Sequence, residues 1–180
     1  MFFPSSEIEV AAILSEAKEP LSVAGGNTRV LAPSGSKIIS TSKLSGVIDY
    51  EPGALTMIAK AGTPLSEIQK TLASEDQCLA FDPYNWSRFI NKKGSSTIGG
   101  VFAANVSGSS RLRVGAARDF LLGIRLVDGL GNIIQNGGRV MKNVTGYDLV
   151  KLFAGSWGTL GILTEVSFKV LPKPETEATI

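Results

Sequence analysis

The 180-residue chain contains no histidine, and this absence excludes several kinds of site. Without an imidazole there is no histidine base, no histidine metal ligand and no histidine to which a cofactor could be covalently joined. The single cysteine, Cys78, cannot form an internal disulfide, and one thiol cannot alone hold zinc or an iron–sulfur cluster. We therefore predict no metal site and interpret Cys78 as a small core residue.

Long apolar runs and a strong net charge are also missing. No window approaches the length needed to cross a bilayer, and Met1–Glu7 lacks the basic and apolar regions of a signal peptide. The net charge is only +2 and the basic residues are spread along the chain. This pattern does not favour nucleic-acid binding. We expect a cytoplasmic protein with no transmembrane segment and no nucleic-acid partner.

Apolar periodicity and turn residues predict a mixed α+β domain, and the composition (43% hydrophobic, 19% charged) is that of an ordinary globular protein. Helices are expected over 6–18, 99–105 and 147–153. A further helix is expected to begin with Pro64 as its first residue. Strands are expected over 21–24, 37–40, 47–50, 55–61, 120–127, 132–135 and 161–171. An irregular loop is expected over 81–96.

Two glycine-rich segments are the chief candidates for ligand binding. The first, Gly25 to Arg29, leaves the strand at 21–24, and the second, Thr97 to Gly100, opens the helix at 99–105. Paired glycines adopt positive φ without strain, so their backbone N–H groups can point into one concavity that suits phosphate. Two such sites favour one long ligand, a dinucleotide. An ordinary strand-exit turn and a close helix–helix contact explain the same glycines, and no G-x-G-x-x-G fingerprint is present.

The order of several motifs carries more information than any one of them. The motifs are Gly25-Gly26-Asn27-Thr28, Ala61-Gly62-Thr63-Pro64-Leu65, Asp82-Pro83, Thr97-Ile98-Gly99-Gly100 with Asn105 and Gly108, and Gly158-Thr159-Leu160-Gly161-Ile162-Leu163-Thr164-Glu165. Their order resembles the FAD-binding domain of the vanillyl-alcohol oxidase/PCMH flavoprotein family over about residues 15–172. Within that family, Arg113–Asp119 and Lys142–Leu149 are most similar to the E-type FAD-binding subunits of bacterial glycolate oxidases.

The resemblance implies a PCMH-type α+β fold of two α/β subdomains with FAD between them. The expected division is about 1–75 and about 76–172, with 173–180 as the start of a linker. Family members continue into a cap domain over the flavin, and residue 180 lies about where that cap would begin, so we expect the cap to be absent. Many relatives attach FAD through histidine, so without one we expect noncovalent FAD.

The resemblance also implies which residues bind FAD. The candidates for the pyrophosphate are Gly25, Gly26, Asn27, Thr28, Thr97, Ile98, Gly99 and Gly100, with Arg29 or Arg111 as an added cation. Those for the ribityl chain or isoalloxazine are Pro83, Asn105, Ser107 and Gly108. Gly161 and Ile162 are expected to meet adenosine or flavin through their backbone. Trp157 stands where many relatives have a carboxylate, and we assign no catalytic residue.

The activity implied by the resemblance is oxidation of a 2-hydroxy acid such as glycolate, with hydride transfer to FAD. The implied partners are a second flavin subunit and an iron–sulfur subunit, with membrane association only through them. An uncovered cap face also favours a homo-oligomer, and we expect little turnover by this chain alone. Two alternatives remain: the FAD domain of another flavin oxidase or of a peptidoglycan-precursor reductase, and a structural assembly subunit whose flavin site is vestigial.

Overall fold

The computed structural model describes residues 1–29, 35–88, 94–138 and 146–176, with Arg88 described by its backbone alone. Parts of three predicted segments lie outside the described residues: the loop 81–96, the segment Lys142–Leu149 and the linker 173–180. The described part mixes helices with sheets, so the predicted α+β class is confirmed. Within these ranges every helix is too short or too polar to span a bilayer.

The elements follow one another in rapid alternation along the chain. The helices are α1 Glu7–Ser15, α2 Leu65–Ala73, α3 Ile98–Ala103, α4 Arg111–Val114, α5 Ala117–Phe120 and α6 Leu149–Phe153. The strands are β1 Leu21–Ala24, β2 Lys37–Ser40, β3 Val47–Glu51, β4 Thr56–Lys60, β5 Gln77–Cys78, β6 Leu121–Val127, β7 Ile133–Gly137, β8 Ile162–Lys169 and β9 Leu171–Pro172.

The main sheet has five strands in the order β3-β4-β8-β6-β7, and every neighbouring pair is antiparallel. Strand β1 pairs with β2 in parallel, and β5 pairs with β9 in antiparallel. The main sheet takes strands from both sides of residue 75, so a division there would separate β4 from its hydrogen-bonded neighbour β8. The two subdomains, with a boundary near residue 75, stay a prediction.

Two hydrophobic clusters hold these layers together. The larger contains a chain of phenylalanine rings: Phe81 lies 5.7 Å from Phe102 and 5.2 Å from Phe120, and Phe102 lies 5.4 Å from Phe168. The smaller joins α1 and β2 to the paired ends of β6 and β8; its members are Val10, Ile39, Leu44, Val127 and Ile162. The exit of β1, the start of α3 and the start of β8 come close together in this arrangement.

Helix boundaries differ from the predictions where a side chain or an extended residue caps the helix. Pro64 is extended (ψ 137°) and precedes α2 instead of being its first residue. The α6 helix begins at Leu149, because the Asp148 side chain accepts a hydrogen bond from the N–H of Lys151. Strand β4 begins one residue late, since Leu55 has a positive φ of 55°.

A nearly buried carboxylate fastens α1 to the main sheet. Glu7, at the start of α1, accepts hydrogen bonds from the Nη2 of Arg125 at 2.5 Å and from the Oγ1 of Thr164 at 2.6 Å. Arg125 lies on β6 and Thr164 on β8, so one side chain joins three elements. The Glu7 side chain is only 16% exposed, which strengthens its ion pair relative to a surface pair.

We expect Glu7→Ala to lower the free energy of unfolding by about 1–3 kcal/mol, because charge-assisted hydrogen bonds to Arg125 and Thr164 are lost. Urea denaturation measures the change. Glu16→Ala, at the exposed end of the same helix, is the matched control and should change stability by less than about 0.5 kcal/mol. Equal effects of the two substitutions would contradict the role given to Glu7.

Candidate functional site

A cleft lies where the exit of β1, the start of α3 and the turn before β8 meet. Its space is about 790 Å³, part of it open solvent. The lining residues are Val23, Ala24, Gly25, Gly26, Asn27, Thr28, Arg29, Thr41, Ala61, Ser96, Thr97, Gly99, Gly100, Ala103, Ala104, Ser156, Trp157, Gly158, Gly161, Ile162 and Leu163. The two glycine segments and the start of β8, far apart in sequence, thus share one cavity.

Most of the predicted site residues line this cleft. The residues brought together are Gly25, Gly26, Asn27, Thr28, Arg29, Thr97, Gly99, Gly100, Gly161 and Ile162. Those outside its lining are Pro83, Ile98, Asn105, Ser107 and Gly108. The side chain of Ile98 is fully buried in the larger hydrophobic cluster, where it cannot touch a ligand.

Asn105 and Ser107 have partners within the protein. The Oδ1 of Asn105 accepts a hydrogen bond from the N–H of Arg118, and the Oγ of Ser107 accepts one from the N–H of Ala117, both at 2.9 Å. These bonds satisfy N–H groups in the first turn of α5, which have no partner inside the helix. A contact of Asn105 or Ser107 with the ligand stays a prediction.

The positive φ predicted for the paired glycines is wrong. None of the four has a positive φ; in the first loop it is Asn27 that does, at 54°. A Cβ on Gly26 would overlap the carbonyl oxygen of Ser95, and one on Gly99 would lie 2.5 Å from the Cβ of Ala61. At Gly26 and Gly99 the missing side chains therefore let neighbouring segments of the protein pack closely, and neither residue forms a left-handed turn.

The first loop still offers backbone donors to the cleft. The N–H groups of Gly26, Asn27 and Thr28 donate to no acceptor among the described residues. The second segment differs, because the N–H of Ile98 donates to the carbonyl of Thr63 and that of Gly99 to the carbonyl of Ala61.

Arg29 adds a positive charge beside these donors. Its Nη1 lies 3.3 Å from the carbonyl oxygen of Gly100 and its Nη2 3.3 Å from that of Tyr84, whereas its buried Nε has no hydrogen-bond partner. Within the described part of the chain no carboxylate pairs with it. Burial lowers the pKa of Arg29 to about 10. A half-buried cation whose described partners are carbonyl oxygens suits an anionic ligand.

Thr41 is a lining residue that sequence reasoning missed. It carries a hydroxyl at the cleft but belongs to no recognisable pattern, since it adjoins the cleft only through the tertiary fold. Ser156 lies in the glycine-rich segment before β8, and Ala103 and Ala104 belong to the run of small residues after Gly100.

We expect Gly26→Ala to lower the free energy of unfolding by about 1–3 kcal/mol, because its Cβ would overlap the backbone carbonyl of Ser95, which cannot rotate away. Thermal or urea denaturation checks this. Gly129→Ala is the matched control, since a Cβ there meets nothing within 4 Å, and it should be nearly neutral. A Gly26→Ala protein as stable as the control would show that the loop does not pack as described.

Comparison with known proteins supports a nucleotide site. A family described as FAD binding domain matches residues 1–137. The chain is 38% identical to glycolate oxidase subunit GlcE of Escherichia coli (strain K12) over 91% of this chain and 45% of that protein. It is 34% identical to the mitochondrial D-2-hydroxyglutarate dehydrogenase of Rattus norvegicus over 96% of this chain and 32% of that protein.

The fold has counterparts among solved structures. An alkyldihydroxyacetonephosphate synthase superimposes with a TM-score of 0.73 at 22% identity, over 97% of this chain and 32% of that chain. The chain spans less than half the length of these relatives. The family match covers most of the chain and confirms the resemblance carried by the motifs. The chain therefore belongs to the FAD binding domain family, and its cofactor is FAD.

Proposed function

We propose that this chain is the FAD-binding part of an oxidoreductase that oxidises a 2-hydroxy acid such as glycolate. Relatives at 30% identity or above are named for glycolate, D-lactate and D-2-hydroxyglutarate, which share a hydroxyl next to a carboxylate. The common chemistry of these names supports the substrate class, and the likeness to a glycolate oxidase subunit favours glycolate within it.

The proposal depends on the backbone N–H groups of the first loop that have no acceptor among the described residues. A dinucleotide diphosphate needs several N–H donors and positive charge, and backbone amides at a loop are suited to it. Gly26, Asn27 and Thr28 would supply the neutral donors, and Arg29 would supply the charge. The residues present therefore fit FAD at its most charged part.

The remaining candidates would contact the rest of the ligand. Gly161 and Ile162 line the cleft, where their backbone would meet the adenosine or the flavin. Ala104 lines the cleft and Asn105 follows it, so a ligand longer than the cleft would reach Pro83, Asn105, Ser107 and Gly108.

The chemistry that FAD supplies when bound is acceptance of a hydride from the α-carbon of the substrate. This chain's contribution is to bind and orient the cofactor, and we assign none of its residues as the base. We further propose a cytoplasmic enzyme with noncovalent FAD and with partner subunits, among them a second flavin subunit and an iron–sulfur subunit. Two relatives whose names contain the word subunit support that assembly.

The proposed activity is tested on the protein purified from its own cells through a tag on this chain, so that partner subunits copurify. Under anaerobic conditions, glycolate, D-lactate or D-2-hydroxyglutarate should bleach the absorbance of oxidised flavin, and ethanol, which lacks the carboxylate, should not. Dithionite is the control that shows reducible flavin is present. Flavin that dithionite bleaches but no 2-hydroxy acid does would contradict the proposed substrate class.

We expect Arg29→Met to weaken FAD binding about 10- to 100-fold, because charge-assisted hydrogen bonds to the diphosphate are lost. The same substitution should leave the ligand-free chain as stable or more stable, since it removes a half-buried cation that pairs with no carboxylate among the described residues. Calorimetric titration and thermal denaturation measure the two effects. Arg113→Met, at an exposed site outside the cleft, is the control. An unchanged FAD affinity in Arg29→Met would refute the role of Arg29.

A further inference from the structure

Trp157 is the one aromatic side chain among the described residues that line the cleft, and it occupies a strained position. Its φ is 57°, in the left-handed region that bulky residues rarely adopt. Its side chain and backbone together are 52% exposed. A large apolar residue that is both strained and half exposed costs stability, and such an outlier is typical of a functional position.

The backbone around Trp157 is held from two sides. Its N–H donates to the carbonyl of Ala103 on α3 at 2.9 Å, and the neighbouring Gly158 packs against the side chain of Val23 on β1. Gly155 and Gly158, with φ of 92° and 79°, complete the turn. The turn is thus anchored to two elements of the cleft wall, which fixes where the indole begins.

The indole itself is uncommitted. Within the described residues it makes no hydrogen bond and no ring contact. The residues of α3 that line the same cavity as this turn are all small: Gly99, Gly100 and Ala103. They leave space for a flat group. The indole has no hydrogen-bond or aromatic partner among the described residues.

We propose that Trp157 is a stacking platform for a planar heteroaromatic ring of the dinucleotide. This inference rests on the proposed binding of FAD in the cleft. Adenine and isoalloxazine both present the π-face that an indole stacks on. Trp157 lies in the same cavity as the diphosphate donors of the first loop, so one ligand can contact both.

The first test compares affinities of Trp157→Phe, Trp157→Leu and Trp157→Gly in the full chain by calorimetric titration. Stacking predicts that Phe keeps FAD affinity within about threefold, whereas Leu and Gly weaken it about 10-fold or more. ADP and FMN as separate probes identify the ring: the probe whose affinity falls in Trp157→Leu contains it. Trp86→Phe, the other tryptophan and outside the cleft lining, is the control and should leave every affinity unchanged.

Stability provides a second readout that a merely structural role would move in the opposite direction. Glycine adopts a φ of 57° without strain, so Trp157→Gly should keep or raise the melting temperature of the ligand-free chain while FAD affinity falls. A structural tryptophan would instead lose melting temperature and affinity together, which would overturn the proposal.

The outcomes separate this proposal from the proposed function. If the unmodified chain binds FAD and the Leu and Gly variants bind it within twofold, the platform is refuted and the FAD site stands. If the unmodified chain, shown to be folded by circular dichroism, binds neither FAD nor ADP nor FMN, both proposals fail.

Discussion

The close approach of backbone to backbone around the first glycine loop is the constraint on which the cleft depends. Gly26 lies against the carbonyl of Ser95, Gly62 against that of Thr41, and Gly99 against Ala61, with no room for a Cβ at any of the three. These contacts draw the exit of β1, the start of α2 and the start of α3 into one place. The cleft lies at this junction, where the exit of β1 and the start of α3 meet the turn before β8.

Two kinds of group would share the binding of the diphosphate that we propose. Amides of the first loop remain free of described acceptors, whereas those of Ile98 and Gly99 are consumed in joining α3 to the Ala61–Thr63 segment. Arg29 would supply charge, and the carbonyls of Gly100 and Tyr84 hold its guanidinium in place. Because a half-buried cation loses part of its solvation, an anion bound beside Arg29 would stabilise the folded protein.

Sequence patterns predicted the strands well, because β1 and β2 are short apolar runs bounded by turn residues. They failed for β5 and β9, whose two-residue pairing is too short to show a period. The glycines were singled out correctly, yet a sequence does not tell whether a missing Cβ makes room for a ligand or for a neighbouring carbonyl. Asn105 and Ser107 show the same ambiguity, because a polar side chain that can bind a ligand can equally cap a helix such as α5.

Every proposal above depends on FAD binding in this cleft. The most direct measurement is the visible absorption spectrum of the purified protein after FAD is added and the unbound cofactor is removed by desalting. We expect oxidised-flavin bands to remain, at close to one FAD for each chain. A protein that is folded by circular dichroism but colourless after desalting would contradict it.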